Sequence, residues 1–274
     1  MRAHSEQPNI ALMNGNVLTL DGAQPYADTV LIRRRRIGWV GERRNLSAAA
    51  LSAAKIIDCG GRTVVPGFID AHCHILAYAA SLEAVDCSPS AVADIEDILR
   101  EIRRVAKVTP RGDWIRATGY SDYDLSEKRH PTRRELDDAS PHHPVRLNHR
   151  SGHACVLNSL ALERVGIGSD TEEPPGGTIA RDIEDGEPDG LLLEMADWLD
   201  GRIPRMNEGR LHEVVSQASR IFLSQGVTCV VDATPSNSLD RWKSLLRKRR
   251  ERNLIPSLHM MPAADRIDDF LSAG

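Results

Sequence analysis

Apolar residues recur along this chain at two spacings, and the boundary between them divides it. Residues 9–65 carry short β-rich runs separated by turn signals. Asn14-Gly15 is a tight-turn pair. Residues 29–32 and 37–40 flank the basic run from Arg33 to Arg36, which predicts a hairpin with a solvated, charged tip. Residues 56–59, the Gly60-Gly61 turn and residues 63–65 continue the pattern. The region reads as a small β-domain.

Beyond it the spacing lengthens. Ile95, Ile98, Leu99, Ile102 and Val105 fall at helical intervals and predict an amphipathic helix over residues 91–107. Residues 114–120 and 145–148 read as strands. Pro131-Thr132-Arg133 between them starts a short acidic helix. His142 and His143 sit between prolines, in a loop expected to be solvated. Residues 154–165 form an apolar stretch that predicts a helix ending at Gly166. The Gly-, Pro- and acid-rich residues 168–190 predict a long loop or hairpin, and residues 191–199 the start of another helix. A helix over residues 208–225 buries Leu211, Val214, Val215, Ala218, Ile221 and Phe222. A strand over 227–231 ends at Asp232. A helix over 239–252 carries its basic residues at the C-terminal end, where the dipole favours cations. A strand over 254–261 and a helix start over 263–273 complete a strand–helix alternation that signals a parallel α/β sheet or barrel.

The stretch from Val64 to His74, VVPGFIDAHCH, joins the two regions. On a strand, side chains at i and i+2 share a face. His72 and His74 therefore project together from the strand's end, with Cys73 on the other face. Two converging imidazoles make half of a divalent metal site. A pair of ordinary strand-end histidines is the alternative reading.

The composition narrows the function classes. A net charge of −4 gives no basis for nucleic-acid or membrane-surface binding, and 4% aromatics offer few platforms for stacking bases. No apolar run reaches the roughly 18 residues that span a bilayer. The N-terminal MRAHSEQPN has no apolar signal core, so the expected location is cytoplasmic. Five scattered cysteines with no CxxC pair fit a reducing compartment.

Several blocks together resemble the amidohydrolase superfamily, and within it the amidohydrolase-3 (YtcJ-like) group. VVPGFIDAHCH resembles its first barrel strand with the paired metal ligands. Pro131-Thr132-Arg133, Leu136-Asp137, Ser140-Pro141 and Pro144-Val145 resemble a second signature. Gly152-His153 with Asn158-Ser159 and Ala161-Leu162 resembles a third. Gly176-Gly177, Arg181-Asp182, Gly186, Gly190 and Glu194 resemble a fourth, and Gly226-Val227-Thr228 with Asp232 a fifth. Arg36 and Asp189 depart from the group, which commonly has Gly and Thr at those places.

The resemblance implies a (β/α)8 TIM barrel, α/β in class, with a small β-sandwich domain whose N-terminal part is residues 1–65. Residues 66–274 would be barrel, with an insertion at about 76–205 over its mouth. It also implies a divalent metal, zinc by preference, held by His72 and His74. His153 and Glu194 become substrate-side candidates on the insertion. They read equally as a hydrogen bond at a helix start and a helix-surface carboxylate. The expected reaction is hydrolysis of a C–N bond other than a peptide bond, in an amide or formamide-type small molecule, by metal-activated water.

A complete barrel takes roughly 250 residues, and the β-domain and insertion leave room for about three strand–helix units. The group's remaining ligands, a bridging Lys or acid, two more His and an Asp general base, are expected beyond residue 274. His212 falls on a helix, and His259 on the last strand as either a substitute ligand or a barrel-interior histidine. The contrasting expectation is a non-catalytic fragment, or a subunit completed by a second chain or a homo-oligomer, with exposed apolar faces on residues 227–231 and 254–261. A phosphoesterase-like nuclease with the same histidine pair is disfavoured by the signatures between residues 131 and 194.

Overall fold

The computed structural model describes residues 9–273. The first eight residues, including most of the N-terminal segment read above for a signal core, lie outside the described residues. The chain divides after Phe68 into two compact units, so the strand that begins at Phe68 lies in the second unit apart from that first residue.

The first unit contains β1 (Asn9–Met13), β2 (Asn16–Leu18), β3 (Tyr26–Ala27), β4 (Thr29–Arg33), β5 (Arg36–Gly41), helix α1 (Ala48–Ser52), β6 (Ala54–Asp58) and β7 (Thr63–Val64). They form a four-stranded sheet in the order β5-β4-β1-β6 and a three-stranded sheet in the order β3-β2-β7. Val17 and Ala27 of the small sheet and Val30 of the large one share an apolar cluster. The β4–β5 hairpin closes on the pair Arg33↔Arg36, with Arg34 and Arg35 at its tip. Both tip residues have positive φ, 48° and 65°, as a two-residue turn matching strand twist requires.

The second unit opens on β8 (Phe68–Cys73), followed by α2 (Ile75–Ser81), β9 (Val85–Asp86), α3 (Ile95–Ala106), β10 (Ile115–Tyr120), α4 (Arg133–Ala139), β11 (Val145–His149), β12 (Ala154–Leu157), α5 (Ser159–Val165), β13 (Thr178–Arg181), β14 (Pro188–Leu193), α6 (Ala196–Asp200), α7 (Glu208–Ser224), β15 (Val227–Asp232), α8 (Leu239–Arg250), β16 (Ser257–Met260) and α9 (Ile267–Ala273). Two sheets result. One has the order β16-β15-β8, the other β13-β14-β12-β11-β10-β9.

In the three-stranded sheet, Val230 of β15 and Leu258 of β16 are buried against Ile75 and Ala79 of α2, Val214, Val215, Ala218 and Phe222 of α7, and Leu245 of α8. These positions recur at 3.6- and 2-residue periods, which is why the sequence predicts both elements. Asn207, Ser238 and Asp94 cap α7, α8 and α3 through backbone N–H groups, each worth about 1 kcal/mol. Within the basic run at the end of α8, Lys248 is fully buried, with its Nζ 3.1 Å from Glu208 Oε2. Val227, Cys229 and Val231 are half-buried, and Ile255 and Met261 are exposed.

The six-stranded sheet is made entirely by residues between α2 and α7. Parallel β9, β10 and β11 join antiparallel β12, β14 and β13. One face packs Ile115, Ala117, Val145, Leu147 and Val156 on α3 and α4. The other packs Cys155, Leu157, Ile179 and Leu192 on α5 and on Leu199 of α6. Tyr120 is fully buried in the first cluster, and Trp114 is half-buried against the second. Gly190 (φ +103°) is required where β14 passes α4, because a Cβ there would meet the Leu157 carbonyl oxygen at 2.5 Å and Arg133 Cβ at 2.9 Å.

Three local expectations are corrected. Residues 154–157 form β12 rather than the first turn of a helix. They are buried throughout, and the helix begins only after Asn158, whose side chain accepts from Ala161 N–H. Residues 191–193 end β14, and the helix there is only Ala196–Asp200. His143 is not solvated: it is 5% exposed, its Nδ1 3.3 Å from the Asp113 carbonyl oxygen.

Candidate active site

The end of β8 is shaped by its own backbone. Asp70 Oδ1 accepts the His72 N–H at 3.1 Å, and His74 is the residue from which α2 departs. The His72 and His74 rings stand edge to face with centroids 5.3 Å apart. Two imidazoles bound to one tetrahedral ion at about 2.0–2.1 Å would hold their centroids roughly 5 Å apart. The ring separation matches that spacing.

β15 supplies the support. Asp232, at its last position, is fully buried. Its Oδ2 accepts the Ile75 N–H at 3.0 Å. Its Oδ1 accepts the Thr234 N–H at 3.0 Å and Asn237 Nδ2 at 3.0 Å. The Cys73 carbonyl accepts from Ala233 N–H at 2.8 Å. One carboxylate thus fixes the turn out of β8 and the turn out of β15. Thr234 in turn places its hydroxyl oxygen 3.2 Å from His74 Nδ1, which leaves Nε2 of that ring for a ligand. Cys73 points away into the helix layer, and burial, with Asp70 and Asp232 adding, pushes its thiol up to about 12. It is no thiolate near neutrality.

Among the described residues, no three His, Cys, Asp or Glu side chains converge on one metal position. Asp232 is fully engaged with N–H donors. His259 lies on β16 beside Val231 and is exposed. His212 lies on α7, with Nε2 3.2 Å from Glu251.

His153 and Glu194 are brought together. Antiparallel pairing of β12 with β14 matches Ala154 to Leu193, so the residues just outside that pair meet. Glu194 N–H donates to the His153 carbonyl at 2.7 Å, and His153 Nδ1 lies 3.0 Å from the Glu194 carboxylate. Both side chains are largely exposed, at 70% and 59%. His153 therefore precedes a strand, not a helix, and Glu194 occupies a strand-to-helix turn at φ +55° rather than a helix surface.

A second histidine cluster lies at the ends of β10 and β11. Tyr120 Oη is 2.8 Å from His130 Nδ1, and the His149 ring stands edge to face with the Tyr120 and His130 rings. Asp122 Oδ1 is 3.2 Å from His149 Nε2, close enough for an ion pair but off the line of a hydrogen bond. Burial lowers the His149 pKa, and Asp122 opposes it.

A family model described as "Amidohydrolase family" matches residues 55–272. The chain belongs to the amidohydrolase family. An N-substituted formamide deformylase from Arthrobacter pascens is 37% identical over 236 residues, 84% of this chain and 43% of the relative. A putative amidohydrolase, YtcJ, from Bacillus subtilis is 30% identical over 173 residues, 63% of this chain and 32% of the relative. A crystal structure of an uncharacterized metal-dependent hydrolase from Pyrococcus furiosus shares the fold at a TM-score of 0.67 and 23% identity, over 97% of this chain and 52% of that one. The chain spans less than half the length of these two sequence relatives. Among the described residues, no helix is long and apolar enough to cross a membrane.

Proposed function

We propose that this amidohydrolase chain carries part of the active site of a metal-dependent hydrolase that cleaves C–N bonds other than peptide bonds, in small amide or formamide-type molecules. The observation that carries the reading is the His72–His74 pair, 5.3 Å apart between centroids, with Nδ1 of His74 already taken by Thr234. The amidohydrolase relatives, an N-substituted formamide deformylase among them, support the bond class. Imidazole donors suit zinc among the divalent ions. When bound, such an ion supplies Lewis-acid polarisation and acidifies water.

The chain's own residues orient and position. Asp232 locks the two turns, Thr234 sets the His74 ring, and Asp70 holds the backbone at His72. The three-stranded sheet corresponds in this reading to the opening strands of a (β/α)8 barrel, with the six-stranded sheet as the insertion at its mouth. His153 and Glu194 then meet the substrate, the paired carboxylate orienting the imidazole.

A second reading has specific support. No third ligand converges among the described residues, so the remaining donors would come from further chain or from a complementing subunit. Zinc content after dialysis, with hydrolysis of a panel of N-formyl and N-acyl amines, tests both. Stoichiometric zinc with turnover supports the autonomous enzyme. Metal and turnover that appear only on adding a complementing chain support the second. Neither metal nor turnover under either condition contradicts both.

A further inference from the structure

The six-stranded sheet presents two unlike halves on the face away from α3 and α4. Over β12, β13 and β14 that face is apolar and covered by α5 and α6. Over β9, β10 and β11 it is polar. Register sets Arg116 of β10 directly beside Arg146 of β11, and Leu157 of β12 follows in the same row. The next row reads Asp86, Thr118, Asn148 and Cys155. Two cations directly opposite on neighbouring strands repel each other. Both are half-buried, and burial and the neighbouring Arg146 lower the Arg116 pKa.

The polar contacts of these guanidiniums go to groups without a formal charge. Arg116 Nη2 donates to the Pro204 carbonyl at 2.7 Å. Arg146 Nε donates to Asn148 Oδ1 at 2.8 Å, with the Cys155 thiol also beside it. Neither is paired with a carboxylate among the described residues. Each guanidinium carries five N–H donors, so most are left without a protein acceptor.

We propose that Arg116 and Arg146 form a binding site for the carboxylate group of a small molecule. A carboxylate placed between them relieves the repulsion and matches the planar fork of a guanidinium with its two oxygens. A role for Arg116 limited to anchoring the Pro204 segment would use one of its donors and would leave Arg146 unexplained.

The test needs neither metal nor turnover, so its failure leaves the hydrolase reading standing. Arginine side-chain N–H resonances of the full chain are followed by NMR while benzoate is titrated at constant ionic strength, with benzamide as the neutral isostere. The expected result is a saturable shift of two arginine signals with benzoate and none with benzamide. Arg116→Gln should abolish it, and Arg146→Lys should weaken binding roughly tenfold, since the charge is kept and the fork is lost. Arg146→Lys also guards against misfolding of a neutral variant. An absent or unsaturable shift, equal shifts with benzamide, or undiminished binding by Arg146→Lys would overturn the site. Inorganic phosphate binding more tightly than benzoate would overturn the carboxylate assignment.

Discussion

Thr234 lies 160 residues from His74 in sequence, yet its hydroxyl oxygen is 3.2 Å from the Nδ1 atom of that histidine. The contact decides which ring nitrogen faces outward. Groups that hold the far nitrogen of a ligating imidazole typically contribute 10- to 100-fold to metal affinity. Thr234→Val should therefore weaken zinc binding by about 10- to 100-fold in a chelator-competition titration, and Thr234→Ser should restore most of it.

Asp232 acts on the fold before it acts on the site. Its buried carboxylate satisfies two backbone N–H groups and one side-chain amide. Asp232→Ala would leave all three donors without that acceptor, at a cost of about 3 kcal/mol or more. Urea denaturation should show a lower midpoint at unchanged slope.

Glu194 stands in the left-handed region at φ +55°, which strains a non-glycine residue by roughly 1–2 kcal/mol. Glycine relieves that strain and returns part of it as chain entropy. Glu194→Gly should leave the thermal midpoint unchanged or raise stability by about 0.5 kcal/mol, while removing the carboxylate from His153. If the pair meets substrate, KM in an amide-hydrolysis assay should rise although the protein is no less stable.

Glu135 gives a pH signature separate from the site. Hydrogen bonding from Arg129 and from Thr132 lowers its pKa from 4.5 to about 2. A depressed carboxylate stabilises the fold above its unfolded pKa and loses that contribution as pH falls through its folded value. Glu135→Gln keeps the reciprocal cap with Thr132 but drops the charge. Wild type should be more stable than this variant at pH 6, and the difference should vanish between about pH 4.5 and pH 2, as followed by circular dichroism.

The parts of this architecture legible in sequence are those with a local period. α3 and α7 follow from apolar residues three and four apart, and alternation places His72 on β8, whereas His74 stands one residue past the strand, at the turn into α2. Residues 154–157 mislead because a short apolar run fits a buried strand and a buried helix alike. Asn158 marks the boundary, as a capping residue whose side chain bonds the N–H three positions on. The burial of His143 between two prolines has no periodic signal, nor does the contact of His74 with Thr234 or the alignment of Arg116 with Arg146. Each depends on how distant segments pack or pair, which only the folded chain supplies.

Calorimetric titration of the purified chain with zinc, in parallel for wild type, His72→Ala and His74→Ala, shows whether these two imidazoles hold a divalent ion. Wild type should bind a divalent ion at one site, and each single variant should lose that binding while keeping the wild-type circular dichroism spectrum. Equal zinc binding by wild type and both folded variants would contradict the assignment of His72 and His74 as metal ligands.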